Sequence, residues 1–493
     1  MNKCIIFSVH RAGTHRPLGP HRICTFLRQE GWDAEVVDYS YYFTLDELKS
    51  LVENRMDENI KFFGFGAWFG TWPDEIVTFT IWLKETYPHI PLVYGSMTSP
   101  HTRESPIDYY SVGYGEESIL EIVKDILGKP CNLKFSPRWK GKEVIDANED
   151  YPAWPRKTYA AYYEDRDFLE EWEWLTIELS RGCKFKCQFC NFPILGIKED
   201  HSISAENFRK QIEDAYNRFG ITNYYIADET INQDKEMMRK FANVANTWDF
   251  KLQAHGFMRA DLMIAQPDTW QMMVDTGITG HHYGIETFNR KSGATIGKGM
   301  KTEKLQEGLI KIKDYFRANS IYRGHISMII GLPYESKETF WKGVDWLKEN
   351  WAGEFSAFNR LEIPLPTGDA KPSLFTRSWK DMGYRDRKTK LQSGSEQKKL
   401  LTMGGGMFTE DLLDWENDYM DIEWAIWAMG EAYRVLKPTN GVGSWHFSDY
   451  SLLLKNDNRA ISKIIKSDLH HNQNGVVDAF YERYKKKKIA WGT

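Results

Sequence analysis

The chain has 493 residues, a formal net charge of −5 and charged residues mixed along its length. That length accommodates roughly two or three domains with ample core, and the charge balance gives no general affinity for phosphate backbones, so nucleic-acid binding is not expected. No apolar run approaches the ~20 residues of a membrane helix, and the apolar start from Cys4 to Val9 is too short for a signal peptide and turns polar at once, so a cytoplasmic protein away from the membrane is expected.

Strand-like and helix-like segments alternate over residues 1–135. Strands are predicted over 5–9, 34–38, 61–66, 91–95 and 109–113. Helices are predicted over 19–29, 45–52, 73–87 and 117–127, the first with Ile23, Phe26 and Leu27 on one face and the third with proline in its first turn. This alternation argues for a parallel sheet covered by helices on both faces. Ligands in such sheets bind beyond the carboxyl ends of the strands. Here those ends are loops of small or polar residues at 8–19, 66–71, 95–99 and 113–116. Residues 136–171 carry Pro137, Pro152 and Pro155 in a polar stretch without periodicity, and read as a linker.

The alternation resumes over 172–370. A strand-like run at 172–179 leads through Ser180-Arg181-Gly182 into Cys183, Cys187 and Cys190. Three soft thiolates this close together can hold an iron–sulfur cluster or a zinc ion. The remaining cysteines, Cys4, Cys24 and Cys131, are scattered and read as idle thiols rather than a disulfide framework. Further strands are predicted over 224–227, 251–255, 281–284, 325–330 and 360–363, and helices over 205–219, 235–248, 267–276, 303–318 and 337–350, with Ser204 and Ser336 as caps. Such βα repeats with polar strand ends read as an open α/β barrel whose chemistry lies at the carboxyl-end face.

Residues 371–493 are less regular. The polar stretch 378–406 ends in Gly404-Gly405-Gly406 and reads as a connector or lid. Helices are predicted over 420–436, 461–469 and 476–484. The tail Lys485-Lys486-Lys487-Lys488 reads as a frayed, solvated basic end.

The C-x3-C-x2-C spacing, with Phe189 just before the last cysteine, resembles the signature of the radical S-adenosylmethionine (SAM) superfamily. The resemblance implies a [4Fe–4S] cluster on Cys183, Cys187 and Cys190, SAM at its open iron, and Phe189 against the adenine. It also implies reductive cleavage of SAM to a 5′-deoxyadenosyl radical. The strand ends are similar to the superfamily as well. Asp228-Glu229 matches an acidic pair, Arg259-Ala260-Asp261 an Arg-Ala-Asp, Gly284-Ile285-Glu286-Thr287 a Gly-x-Glu-Ser turn, and Gly331-Leu332-Pro333 a Gly-Leu-Pro whose backbone passes near the adenine. Glu286 is the expected polar contact to SAM, with Gly331 beside it. Asp228, Arg259 and Asp261 either join them or pair with neighbours at the barrel rim. Two departures stand out: Tyr334 replaces a common glycine, and Pro366-Thr367-Gly368 scrambles a late Pro-Gly-Thr.

The first domain resembles the cobalamin-binding domain that precedes the core in one branch of the superfamily. Tyr94-Gly95-Ser96 and Gly113-Tyr114-Gly115-Glu116-Glu117 carry that likeness, which implies corrin contacts at Gly66, Gly95, Ser96, Gly113 and Gly115. The Asp-x-His-x-x-Gly motif that supplies a histidine to cobalt is absent, as is common in this branch. His10, His15 and His21 lie in the first loop, and none is assigned to cobalt. The fold class implied is α/β: a Rossmann-like domain of cobalamin-binding type, a partial TIM-like radical SAM barrel, and a mostly helical C-terminal region that caps the substrate. The activity implied is cobalamin-dependent methylation of an unactivated carbon on a small-molecule or peptide substrate, with an external electron donor of flavodoxin or ferredoxin type. A cobalamin-free radical SAM enzyme is the alternative. A methylthiotransferase is disfavoured because Cys4, Cys24 and Cys131 are too irregularly placed for a second cluster. An alternative of another class is a zinc-stabilised binding protein, which would leave the strand ends unexplained.

Overall fold

The computed structural model describes residues 1–9, 15–67, 72–96, 102, 104–138, 142–147, 158–190, 201–363, 373–387, 412–442 and 473–491. The chain begins with β1 (Lys3–Val9), and β2 (His15–Arg16) follows it without joining the same sheet. The first sheet continues with β3 (Asp33–Val37), β4 (Ile60–Ala67), β5 (Leu92–Ser96) and β6 (Tyr109–Val112), parallel in the order β3-β1-β4-β5-β6. Between them run α1 (Leu18–Gln29), α2 (Leu45–Glu53), α3 (Asp74–Thr86) and α4 (Gly115–Ile126). The two-residue period of a strand divides β1 between two cores. Ile5, Phe7 and Val9 meet Leu48 and Leu51 of α2 and Phe79 of α3, whereas Cys4 and Ile6 meet Leu27 of α1 and Ile122 of α4. A capping box starts α2, Thr44 accepting from Glu47 N and Glu47 accepting from Thr44 N.

The stretch expected to be a linker starts as part of this sheet. β7 (Ser136–Arg138) and β8 (Lys142–Asp146) form an antiparallel hairpin, and β8 adds parallel to β6 through Ser111–Ile145 and Val112–Asp146. Val144 and Ile145 enter opposite cores. A single apolar pair between charges has too little periodicity to announce a strand. Tyr151-Pro152-Ala153-Trp154-Pro155 lies outside the described residues.

The second sheet holds β9 (Trp174–Ile177), β10 (Asn223–Ile226), β11 (Gln253–Met258), β12 (Ile278–Glu286), β13 (Arg323–Ile330) and β14 (Phe355–Arg360), all parallel and in chain order. Around it lie α5 (Ala205–Phe219), α6 (Lys235–Ala245), α7 (Ala260–Ala265), α8 (Thr269–Thr276), α9 (Arg290–Thr295), α10 (Thr302–Asn319) and α11 (Lys337–Asn350). The sheet runs from one edge to the other without closing. Ile226, Tyr283 and Ile326 face Phe208, Phe241, Phe316 and Phe340 in the largest core. The spacing predicts the last strand over 360–363; it lies earlier, paired with β13 from His325–Phe355 to Ile330–Arg360. The two caps are as expected, Ser204 accepting from Asn207 N and Ser336 from Thr339 N.

Both edges are finished by residues from far away in the chain. Gly441–Val442 pairs with β14, and β2 pairs with β9 through His15–Trp174 and Arg16–Leu175. Arg16 is fully buried there. It donates to Glu173 at 2.6 Å, Asp38 at 2.7 Å and the carbonyl of Asp167 at 2.7 Å.

The C-terminal residues divide between the two sheets rather than forming one cap. Helix Ile422–Leu436, capped by Asp421, packs Ala425, Ala428 and Ala432 into the barrel's outer core. Helix Gln473–Ala490 instead packs Phe480, Tyr481 and Tyr484 into the first domain. The lysine tail is accordingly not solvated throughout. Lys488 is fully buried, 2.9 Å from both Glu35 Oε1 and the carbonyl of Arg166, and Lys485 lies 3.1 Å from Glu47. The helix expected at 461–469 and residues 388–406 lie outside the described residues. No helix among the described residues is long and apolar enough to cross a membrane.

Candidate functional site

The site is built at the carboxyl end of β9. After Ile177 the chain passes through Glu178, Leu179, Ser180 and Arg181 to Gly182, whose φ of +84° turns it out of the strand. The loop that follows carries the three cysteines, none of them in a disulfide among the described residues.

Residues after β10 grip the start of this loop. Asp228 is buried and accepts from Leu179 N at 2.7 Å. Burial, then the nearby Glu178 and Glu229, push its carboxyl well above the ordinary range. Burial likewise raises Glu229 to about 8, with Glu178 adding to it. Gln233 donates to Gly182 O at 2.9 Å and accepts from Lys184 N at 2.9 Å, and Lys184 pairs with Asp234 at 2.6 Å. Thr230 Oγ1 lies 3.5 Å from Cys183 Sγ. Asp228 therefore acts in this structure as a brace on the loop backbone.

The end of β11 supplies a cation. Arg259 Nη1 is 3.4 Å from Cys187 Sγ, and the guanidinium is held by two bonds to Asp261 at 3.0 and 2.6 Å and lies 3.9 Å over the Phe185 ring. Asn232 clamps the Arg259 backbone on both sides at 2.9 Å. Arg259 is thus an ion pair at the rim, and it also touches a cysteine sulfur.

The end of β12 brings Glu286 to the rim on a left-handed backbone, φ +67°, at a register shift against β13. For a residue with a Cβ that conformation costs on the order of 1 kcal/mol or more. Lys298 pairs with Glu286 at 2.8 Å, donates to Gly284 O, and lies 5.6 Å from the Phe189 ring. Gly331, φ +103°, ends β13 where a Cβ would collide with the Trp415 ring, and its carbonyl accepts from Tyr384. Tyr334, the departure from glycine, keeps a left-handed φ of +62°. Asn289 donates to its carbonyl at 3.1 Å and Lys291 sits 3.9 Å over its ring. Pro366-Thr367-Gly368 lies outside the described residues.

The donor chemistry fits an iron–sulfur cluster. Three soft sulfurs share one loop, with a guanidinium on one and a hydroxyl near another to meet thiolate charge. Among the described residues no three His, Cys, Asp or Glu side chains are gathered so as to hold a metal ion. A four-iron cubane takes its cysteines at separate corners.

In the first domain the glycines divide by role. At Gly66 a Cβ would come within 2.7 Å of Pro20, and at Gly115 within 3.2 Å of Ile23, so both admit α1 closely. At Gly95 a Cβ would meet nothing among the described residues. Ser96 is buried, and its carbonyl accepts from Gly113 N at 2.9 Å, where Gly113 has φ +97°. The adjoining loops at 10–14, 68–71 and 97–101 lie outside the described residues, His10 among them. His15 and His21 do not line an open loop. His21 is buried against Asp38 at 2.9 Å, and His15 is buried in β2.

Sequence reasoning missed a contact between the two halves. Arg181 pairs with Glu116 of α4 and, at 2.8 Å, with Glu178; its guanidinium lies 3.9 Å over the Tyr114 ring. Arg22 of α1 reaches Glu178 at 2.9 Å and Glu116 at 3.7 Å. Burial alone would raise the Glu116 carboxyl, but the two guanidinia outweigh it and hold it below the usual range. Also missed was a row of buried imidazoles on the inner face of the barrel. His15, His255, His282 and His325 follow one another with ring spacings of 5.7, 5.3 and 4.8 Å. Burial pushes His255 and His325 down to about 3, so both are neutral. Alternation within β11, β12 and β13 was the available signal.

An open parallel barrel with a three-cysteine loop at its mouth, preceded by a parallel α/β domain, defines the class. Residues 177–347 match the radical SAM superfamily. Solved structures share the fold over much of the chain. The radical SAM methyltransferase TsrM from Kitasatospora setae, with tryptophan substrate and the SAM analogue aza-SAM bound, superposes with a TM-score of 0.64 at 14% identity, covering 89% of both chains. TsrM with cobalamin and a [4Fe–4S] cluster gives a TM-score of 0.58 at 13% identity over 74% of this chain and 73% of that one. The cobalamin-dependent SAM radical enzyme OxsB with aqua-cobalamin gives 0.53 at 16% identity, covering 71% of this chain and 52% of that one. The chain thus spans about half the length of OxsB. No curated protein sequence matches the chain.

Proposed function

We propose that this protein is a cobalamin-dependent radical SAM enzyme that methylates an unactivated carbon of a small molecule or peptide. The observation that carries the proposal is the direct contact of the two strand-end faces. Tyr114 and Glu116, in the loop expected to meet a corrin, touch Arg181, two residues before Cys183. Support comes also from the shared fold with TsrM and OxsB, whose structures hold cobalamin.

Cys183, Cys187 and Cys190 would hold the cluster, which supplies the electron that cleaves bound SAM. Arg259 neutralises charge at Cys187 and fixes its sulfur. Glu286 offers a carboxylate for the SAM ammonium once Lys298 yields it, and Phe189 and Gly331 flank the adenine. Asp228, its carboxyl raised by burial, and Glu229, raised by burial to about 8, hold the loop backbone. Gly95, Ser96 and Gly113 would line the corrin side, with Gly66 and Gly115 admitting α1 behind them. The electron comes from an external flavodoxin- or ferredoxin-type donor in the cytoplasm.

The test is anaerobic reconstitution with iron, sulfide and hydroxocobalamin. Retained corrin absorbance, about four irons per chain and 5′-deoxyadenosine formed under reduction support the proposal. Cleavage of SAM without retained corrin would favour the cobalamin-free alternative. A colourless, zinc-loaded protein would overturn both.

A further inference from the structure

Arg181 is enclosed on every side. Its side chain is 1% exposed and that of Glu116 4%, while Arg22 and Glu178 are 8% and 11% exposed. Two guanidinia and two carboxylates, brought together from α1, the start of α4 and the end of β9, form a nearly dry square between the domains. Tyr114 closes one face of it by stacking on Arg181.

We infer that Arg181 is a positioning residue that couples the two ligand sites, so that occupancy of the Gly113–Glu116 loop changes how SAM is bound at the cysteine loop. The inference rests on the reading of the first domain as a corrin site. It follows from what the square allows. A displacement of Tyr114 or Glu116 cannot be absorbed by water, because the groups between them are buried. Breaking one partner from a buried charge set is strongly unfavourable, so the set moves together. On its far side Arg181 is joined to Gly182, and Gln233 grips Gly182 and Lys184 on either side of Cys183. Movement of the first-domain loop is therefore delivered to the first cysteine. Coupling of this kind is reciprocal in binding, typically by roughly 5- to 150-fold.

The full-length protein with reconstituted cluster provides the test. Hydroxocobalamin affinity is measured by its absorbance with and without SAM, and SAM affinity with and without hydroxocobalamin. The electron paramagnetic resonance spectrum of the reduced cluster is recorded in each state. In the wild type each ligand changes the affinity of the other by the same factor, about fivefold or more, and corrin shifts the cluster's g-values. Arg181→Lys and Glu116→Gln bind each ligand alone with normal iron content, yet lose the mutual effect and the g-shift. Tyr114→Phe, which keeps the stacked ring, retains both. A role in stability alone would lower the melting temperature or iron content and leave the coupling of the surviving holoenzyme intact. Should the charge variants fail to fold, Tyr114→Leu leaves every ion pair in place and carries the same expectation of lost coupling. Corrin and SAM that bind without affecting one another in the wild type overturn the inference, as does undiminished coupling in all of Arg181→Lys, Glu116→Gln and Tyr114→Leu. A wild type that binds no corrin overturns the first-domain reading, and this inference with it.

Discussion

The two sheets use their faces differently. In the first, both faces are apolar: β1 sends Phe7 to one core and Ile6 to the other, and helices cover both. In the second, the outer face is apolar and the inner face mixes aromatic rings with imidazoles. β11, β12 and β13 turn Ala254, Tyr283 and Ile326 toward the helices, and the opposite face carries His255, His282 and His325. A sheet buried on both faces can offer chemistry only at its strand ends. A barrel can offer it along an inner face as well, and here that face carries buried imidazoles while Arg259, Glu286 and Lys298 stand at the rim.

The sharpest way to break this division is at the rim. Cys183→Ala is expected to lose bound iron and to reduce SAM cleavage to background, while far-ultraviolet circular dichroism stays native. The next effect is on the first sheet. Phe7 is fully buried, and Phe7→Ala should cost about 3–5 kcal/mol by transfer and cavity terms, read as a fall in urea midpoint. A smaller effect concerns pH. Burial raises Glu335 to about 8, although Thr287 donates to it. Its folded value lies above its unfolded one, so its contribution is full below the unfolded value near 4.5 and is lost as pH rises toward 8. Glu335→Gln should therefore flatten the decline in melting temperature between those limits. The smallest effect is expected on the inner face. Neither ring nitrogen of His325 has a hydrogen-bond partner among the described residues. Removing an unsatisfied buried polar group costs little, so His325→Phe should change stability by within about 1 kcal/mol, in contrast to Phe7→Ala. A large loss there would show that the imidazole row is held by bonds the inner face requires.

The α/β class and the radical SAM domain were legible because their signals are local. Cys183, Cys187 and Cys190 fall within eight positions, and each strand end follows directly on its strand. The first domain's helices and strands were found to within a residue or two for the same reason. What escaped is long-range. β8 is defined by its pairing with β6, some thirty residues earlier. Lys488 reads as a loose end until Glu35 is beside it. Arg181 reads as part of a turn until Glu116 closes on it. In each case the decisive partner lies outside any window over which periodicity can be read.

The short pairing of His15–Arg16 with Trp174–Leu175 sets an order for the chain's synthesis. When the first domain has emerged from the ribosome, Arg16 has Asp38 but still lacks Glu173 and the carbonyl of Asp167, which lie 157 and 151 residues after it in the chain. The early domain must therefore wait with a guanidinium matched by Asp38 alone. The two parts are not separable modules: a barrel made without the first 135 residues would lose the strand that covers β9 and leave Glu173 without the guanidinium that neutralises it.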